Sequence, residues 1–245
     1  NLHGEAWKTL RAAWGLRGGP ADTPARRLVG DLFRCALAIM HSPQYEADHA
    51  DALAQDWAHL PIPKDKALLA ELVALGAKIG ALLDPTAPGD DIVKEILGKG
   101  AATIGVSKKR PGGQVAQQDL IVSIAYFGAA RGKWIERAYS EGELQHPAWG
   151  ESTGDLYING DVYFANVPKA VWSYEIGGYP VLKKWLGYRQ ASRRGGQPLT
   201  LAERQHFRSM IQRIATLLAL HEVTDVLYER SAAAAFNAEE LGVRK

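Results

Sequence analysis

The sequence predicts an α+β fold: an N-terminal helical unit, a β-rich centre carrying a hairpin, and a long C-terminal helix. Three observations carry that prediction. Apolar residues recur at helical spacing through the first third of the chain. Two β-prone runs, Leu156-Tyr157-Ile158 and Val162-Tyr163-Phe164, flank Asn159-Gly160. Near the end, Phe207, Ile211, Ile214, Leu218 and His221 hold one face of a last helix.

Taken in order, Trp7 and Trp14 stand seven residues apart, the spacing of one helix face. Pro20 and Pro24 then punctuate the chain. Leu28, Leu32, Phe33, Ala36, Leu37, Ile39 and Met40 predict a helix from about residue 25, stopped by Ser42-Pro43. A second helix is expected over 44–57, before Pro61-Ile62-Pro63 breaks the chain again. Leucines and isoleucines from Leu68 to Leu83 mark a third helix, ending before Asp84-Pro85. A short helix is expected over 90–97, then a turn at Gly98-Lys99-Gly100 and a basic loop over 107–113.

Ile121, Val122, Ile124 and Tyr126-Phe127 suggest a strand, and Asn159-Gly160 a type I′ hairpin turn, in which both central residues take positive φ. Val171, Trp172, Tyr174 and Ile176 suggest a further strand, turned by Gly177-Gly178 into a short helix with Pro180 near its first turn. Trp172, Tyr174 and Trp185 read as core residues. Thr200 and Glu203 form a capping-box pattern, and the helix behind them is expected to reach about Tyr228. Ala232 to Phe236 extends the pattern, and the charged tail is expected to fray. The expected division is therefore an N-terminal segment (1–25), a helical unit (26–97) and a mixed α+β region (98–245).

With 245 residues and one cysteine, Cys35, the chain has room for a real core but no internal disulfide and no Cys-rich zinc site. That usage fits a reducing, cytoplasmic setting. No apolar run is long enough to span a membrane. The chain opens Asn-Leu-His without an initiator Met or a signal-peptide pattern, as expected of a piece of a longer polypeptide.

The net charge of +2 hides an alternation. Residues 46–91 sum to −6, 92–137 to +5, 138–182 to −5 and 183–213 to +7, the last with only Glu203 opposing eight Lys and Arg. Like-charged blocks are commonly solvated faces. Two dense basic blocks that merge on one face would instead make a footprint for phosphates. Lys108, Lys109 and Arg110, and again Lys183, Lys184, Arg189, Arg193 and Arg194, lie in Gly-rich surroundings with few acids, which makes both clusters candidates for nucleic-acid contact.

Catalytic signatures are absent. There is no phosphate-cradling Gly-rich loop with Lys and Ser/Thr, no His-Glu-x-x-His and no Gly-x-Ser-x-Gly. His41 and His49 could share a helix face around a metal, but capping or polar packing is the favoured reading. Asp84-Pro85-Thr86-Ala87-Pro88-Gly89 is superficially like an S-adenosylmethionine-binding loop, yet it follows a leucine-rich helix and reads as a helix stop. No Asn-Pro-Pro-Tyr-like segment is present to hold a flipped adenine. The chain by itself reads as non-catalytic, without a cofactor or metal of its own.

Leu37-Ala38-Ile39-Met40-His41-Ser42-Pro43-Gln44-Tyr45 followed by Leu60-Pro61-Ile62-Pro63 resembles a segment downstream of the methyltransferase core in single-polypeptide restriction–modification enzymes (type ISP and type IIG-like). The stretch Val171-Trp172-Ser173-Tyr174-Glu175-Ile176-Gly177-Gly178-Tyr179-Pro180, continuing through Lys184-Trp185-Leu186 and Arg189 to Leu199-Thr200, is similar to the C-terminal specificity domain of that family. The resemblance covers about residues 28–230 in the same order. Met40 stands where the family usually has Leu and His59 where Arg is common, and 92–137 matches no family motif.

The resemblance implies a target-recognition domain for double-stranded DNA. It implies that an upstream domain of the same polypeptide methylates adenine with S-adenosylmethionine, with helicase or nuclease domains as further candidate partners. On that reading Lys183, Lys184, Arg193 and Arg194 contact phosphates, while the 107–113 loop and Arg131 or Lys133 read bases. The rival readings are a helical protein-interaction module, docking its acidic 46–91 unit on a basic partner, and a free-standing enzyme with dispersed catalytic residues.

Overall fold

A computed structural model describes residues 4–16, 23–55, 59–124 and 133–242. The chain divides into two compact units, one built from residues 1–84 and 220–245, the other from 85–219.

The first unit is helical. Helix α1 (Gly4–Trp14) buries Trp7, Leu10 and Trp14, as the seven-residue spacing predicts. The Trp14 indole donates to the Lys64 carbonyl at 3.1 Å and meets the edge of Phe236. Helices α2 (Thr23–Met40) and α5 (Lys66–Leu83) form the core, burying Leu28, Ala38 and Ile39 against Leu72, Leu75 and Ile79. They approach so closely that a Cβ on Gly76 would lie 1.8 Å from the Arg34 carbonyl oxygen. Cys35 is buried in this core, and burial pushes its thiol pKa up to about 12, so it is packing rather than a nucleophile.

Where one helix is expected over 44–57 there are two, α3 (Pro43–Asp48) and α4 (Ala50–Gln55). His49 leaves helical geometry at φ −118° and ψ 16°, and the Tyr228 hydroxyl, 2.9 Å from Asp48 and 3.3 Å from His49 Nε2, holds both side chains at the break. Ser42, expected to stop α2, also caps α3 by accepting from the Tyr45 N–H at 3.1 Å. Its hydroxyl donates to Asp225 at 2.5 Å. Asp225 lies on the last helix, α10 (His221–Ala233), which packs on α2, α3 and α5. Beyond it, Phe236 donates its N–H to the Ile62 carbonyl and Pro63 bridges Ala235, so the Pro61-Ile62-Pro63 break is an extended pairing segment.

The second unit sets a four-stranded antiparallel sheet on a helix. It begins with α6 (Asp90–Leu97) and a 3-10 turn over Gly98–Thr103, where a turn is expected. The sheet comprises β1 (Val106–Lys109), β2 (Lys133–Arg137), β3 (Thr153–Tyr157) and β4 (Val162–Ala165), in the spatial order β1-β4-β3-β2. Beyond it lie the single turn α7 (Lys169–Trp172), the two-residue strands β5 (Glu175–Ile176) and β6 (Tyr179–Pro180), α8 (Val181–Gly187) and α9 (Leu201–Ala219). Phe164 meets Phe207 of α9 at 4.9 Å between ring centroids, and Phe207 stacks on Trp185 of α8 at 4.8 Å. The Trp149 indole donates to the Ala215 carbonyl at 2.9 Å. Thr200 and Glu203 form the expected capping box: each side chain accepts the other's backbone N–H, at 2.9 and 3.1 Å.

Five further local expectations need correction. The hairpin forms, but not with a type I′ turn: Ile158 bonds Val162 around a three-residue loop, and neither Asn159 nor Gly160 has positive φ. The Asn159 carboxamide instead builds the loop, accepting from the N–H groups of Asp161 and Val162 and donating to the carbonyls of Asp119 and Ile121. The backbone that a two-residue hairpin loop requires occurs at Gly177 and Gly178, at φ 56° and 74°, between β5 and β6.

Residues 121–124 form no strand, because their backbone is tied to loops: Ser123 N–H bonds Ile158 and Ala191 N–H bonds Val122. The rest of that expected strand, Tyr126-Phe127, lies outside the described residues. Val171 and Trp172 belong to α7, where the Trp172 N–H turns back to the Pro168 carbonyl, and only Glu175 and Ile176 of the expected strand pair. The closing helix is likewise two helices, α9 ending at Ala219 and α10 beginning at His221. The 107–113 loop is also shorter than expected, since Ser107, Lys108 and Lys109 lie in β1.

Candidate nucleic-acid interface

Directly paired residues in an antiparallel ladder share a face. The register pairs Lys108 with Tyr163, Tyr163 with Tyr157, and Tyr157 with Lys133. One rank therefore crosses all four strands, with a lysine on each edge strand and two tyrosines between. The tyrosine rings stack at 4.9 Å and 26°. Arg110, two residues beyond Lys108, lays its guanidinium over both, 5.2 Å from the Tyr157 centroid and 5.8 Å from that of Tyr163. The Lys133 ammonium lies 5.5 Å from Tyr157. Lys108, Arg110 and Lys133 are exposed, whereas Tyr157 is buried beneath them. Burial raises the Tyr157 phenol above its ordinary pKa against the charge of Arg110, so it stays neutral.

The same face carries no excess of positive charge further along. Arg137 holds Asp155 at 2.9 Å and grips Glu143 with two bonds at 2.7 and 2.8 Å. Positive charge is thus concentrated at the hairpin end. Both tyrosines were legible only as strand residues beside Asn159-Gly160; alternation across a hairpin is the signal that places them opposite one another.

The other sequence-selected residues are dispersed. Lys109 points to the opposite face, where it pairs with Asp119 at 2.7 Å. That bond, with the Ala116 N–H, lowers the Asp119 pKa. Lys183 and Lys184 of α8 lie 5.3 Å from the rings of Trp172 and Tyr179 respectively. Arg189 sits 3.7 Å from the Trp185 centroid and donates to Glu203 at 3.1 Å, and Arg194 reaches the same carboxylate at 3.1 Å. Glu203 thus joins two arginines to the cap of α9. Burial raises its pKa, but the Thr200 N–H and Arg194 lower it further, so it stays ionised. Arg193 is exposed, and Arg131 lies outside the described residues. The two basic blocks do not merge through these contacts: one lies on the sheet face that carries Lys108 and Lys133, the other in the helical layer against its opposite face.

No group of three His, Cys, Asp or Glu among the described residues could hold a metal ion. His41 and His49 turn to different partners, His41 to the ring of His221 and His49 to Tyr45 and Tyr228. No described helix is long and apolar enough to cross a membrane.

Residues 1–218 match the Type ISP C-terminal specificity domain, a stretch that spans the whole sheet and nearly all of α9. The chain belongs to this family. No curated protein and no solved structure matches it. The specificity domain recognises the DNA target of a restriction–modification enzyme and is itself non-catalytic. Membership thereby decides for DNA recognition over the protein-interaction module.

Proposed function

We propose that this specificity domain reads double-stranded DNA with the face of its sheet that carries the exposed Lys108, Arg110 and Lys133, in a cytoplasmic polypeptide whose other domains methylate adenine with S-adenosylmethionine. The observation that supports it is the rank Lys108–Tyr163–Tyr157–Lys133 with Arg110 above it. Arg110 is the base reader: a guanidinium held over two rings keeps its planar donor set for guanine O6 and N7, worth about 1–3 kcal/mol of discrimination. Lys108 and Lys133 flank it as phosphate contacts, independent of sequence. Lys183, Lys184 and Arg193 supply further phosphate contacts. Arg189 and Arg194, committed to Glu203, act by holding α8 and its following loop against α9.

Selection from a randomised duplex pool, with the whole chain as bait, tests this. Arg110→Ala should relax the preference at one base pair. Lys108→Ala with Lys133→Ala should leave the preferred sequence intact and flatten the salt dependence, by about 0.9 in log–log slope per phosphate lost. An unchanged preference in Arg110→Ala overturns the base-reading role.

A further inference from the structure

On the opposite side of the edge strand β1 lies a second basic site, built from residues that no motif singles out. A pocket of about 220 Å³ opens between β1 and α9, lined by Gly105, Ser107, Phe164, Arg204, Gln205 and Arg208. Arg204 and Arg208 stand one helical turn apart on α9 and so share a face. No carboxylate among the described residues pairs with either. Glu203, the only acid in the 183–213 block, is committed to Arg189, Arg194 and the helix cap.

Backbone carbonyls hold the pair in place. Arg208 donates to Ala102 at 2.7 Å and Ile104 at 3.3 Å, and Arg204 to Val115 at 3.4 Å. These bonds leave most of the five N–H donors on each guanidinium without a carboxylate. Gly105, at φ 64°, lets α9 come close: a Cβ there would meet Ile211 at 3.2 Å and Arg208 at 3.4 Å. Two like charges one turn apart oppose each other, and burial together with Arg204 lowers the Arg208 pKa. An anion in the pocket relieves both effects.

We infer that this pocket takes a backbone phosphate of duplex DNA, gripped by Arg204 and Arg208 with the Ser107 hydroxyl as a further donor. The inference rests on the DNA reading above and deepens it. β1 is an edge strand, with Lys108 on one face and the Ser107 pocket on the other. A DNA strand following that edge meets the phosphate site and, across the strand, the cation over the tyrosines. Arginine suits the task because its paired N–H groups match phosphate oxygens.

Anisotropy titrations of a mixed-sequence duplex against the whole chain, over a range of salt concentrations, test the assignment. Arg204→Gln is the main variant, since among the described residues Arg204 makes only one bond, a long one, and exposed Gln205→Glu, which adds a carboxylate to the pocket rim, is the second. Each should lower the log–log salt slope by about 0.9, roughly a tenfold loss of affinity near 0.1 M salt, with an unchanged melting temperature. Excess inorganic phosphate should raise the melting temperature of the unaltered chain more than that of Arg204→Gln. Slopes equal to that of the unaltered chain in both variants overturn the phosphate pocket while leaving DNA recognition standing. A melting-temperature gain from inorganic phosphate without any DNA binding by the unaltered chain overturns the DNA reading and the backbone source of the phosphate together.

Discussion

Tyr157 on β3 and Tyr163 on β4 stack across the hairpin with ring centroids 4.9 Å apart, and the Arg110 guanidinium covers both. Tyr163 is the more accessible ring, so it can be altered without opening the core. Tyr163→Ala should weaken duplex binding a few-fold, matching a cation–π contact of about 0.5–1 kcal/mol, while Tyr163→Phe should bind as the unaltered chain does. Equal affinities for Ala and Phe would show that the ring plays no part.

Asn159 makes four hydrogen bonds that shape the hairpin loop and anchor the 119–121 segment. Asn159→Asp keeps the two acceptor bonds but turns a carboxylate toward the carbonyls of Asp119 and Ile121. The expected loss is about 2–4 kcal/mol, since two half-buried bonds become repulsive, read as a lower urea midpoint.

In the helical unit, Gly76→Ala should be severe and Gly80→Ala mild. The first places a Cβ 1.8 Å from the Arg34 carbonyl oxygen; the second meets only Leu37 Cδ1 at 3.5 Å. Forcing α2 and α5 apart should cost about 3 kcal/mol or more. Replacing a helical glycine without a clash should instead stabilise by about 0.5–1 kcal/mol. Thermal melting of the two variants side by side checks the contrast.

His221 gives the first unit a pH dependence. Burial, then the neighbouring His41, lowers its pKa from 6.5 to about 4, with Asp225 opposing. The unfolded chain therefore takes up a proton below about pH 6.5 that the folded chain refuses. The stability contributed by keeping His221 neutral is complete above pH 6.5 and is lost as pH falls toward 4, by at most about 1.4 kcal/mol per pH unit. His221→Gln should flatten the fall in urea-unfolding stability between pH 7 and pH 5. A variant as pH-sensitive as the unaltered chain would assign the effect elsewhere.

Helices were legible wherever one face is apolar and a capping residue stands at the end. Trp7 and Trp14, the Leu68–Leu83 run and the Thr200/Glu203 box all fold as their spacing predicts, because these signals are local. The strand expected at 171–176 misleads for the complementary reason. β-propensity describes a half-buried pleated surface, and Val171 and Trp172 find their burial on a helical turn instead. Among the site residues, Lys108, Arg110 and Lys133 were marked by charge, but Arg204 and Arg208 were not, since basic residues on a helix ordinarily read as solvated.

By itself the sequence determined the α+β class, the long helices α2 and α5, the start of α9, the absence of catalytic motifs and a resemblance to the specificity domain that the family match bears out. Each depends on residue type and short spacing along the chain. The tertiary structure alone decided which cations converge. Strand order and register set Lys108 and Lys133, 25 residues apart in sequence, in one rank over the tyrosines, while Glu203 drew Arg189 and Arg194 into a helix cap. Charge can be counted along a chain, but a phosphate or a base meets only the charges that the pairing of strands leaves together and unopposed.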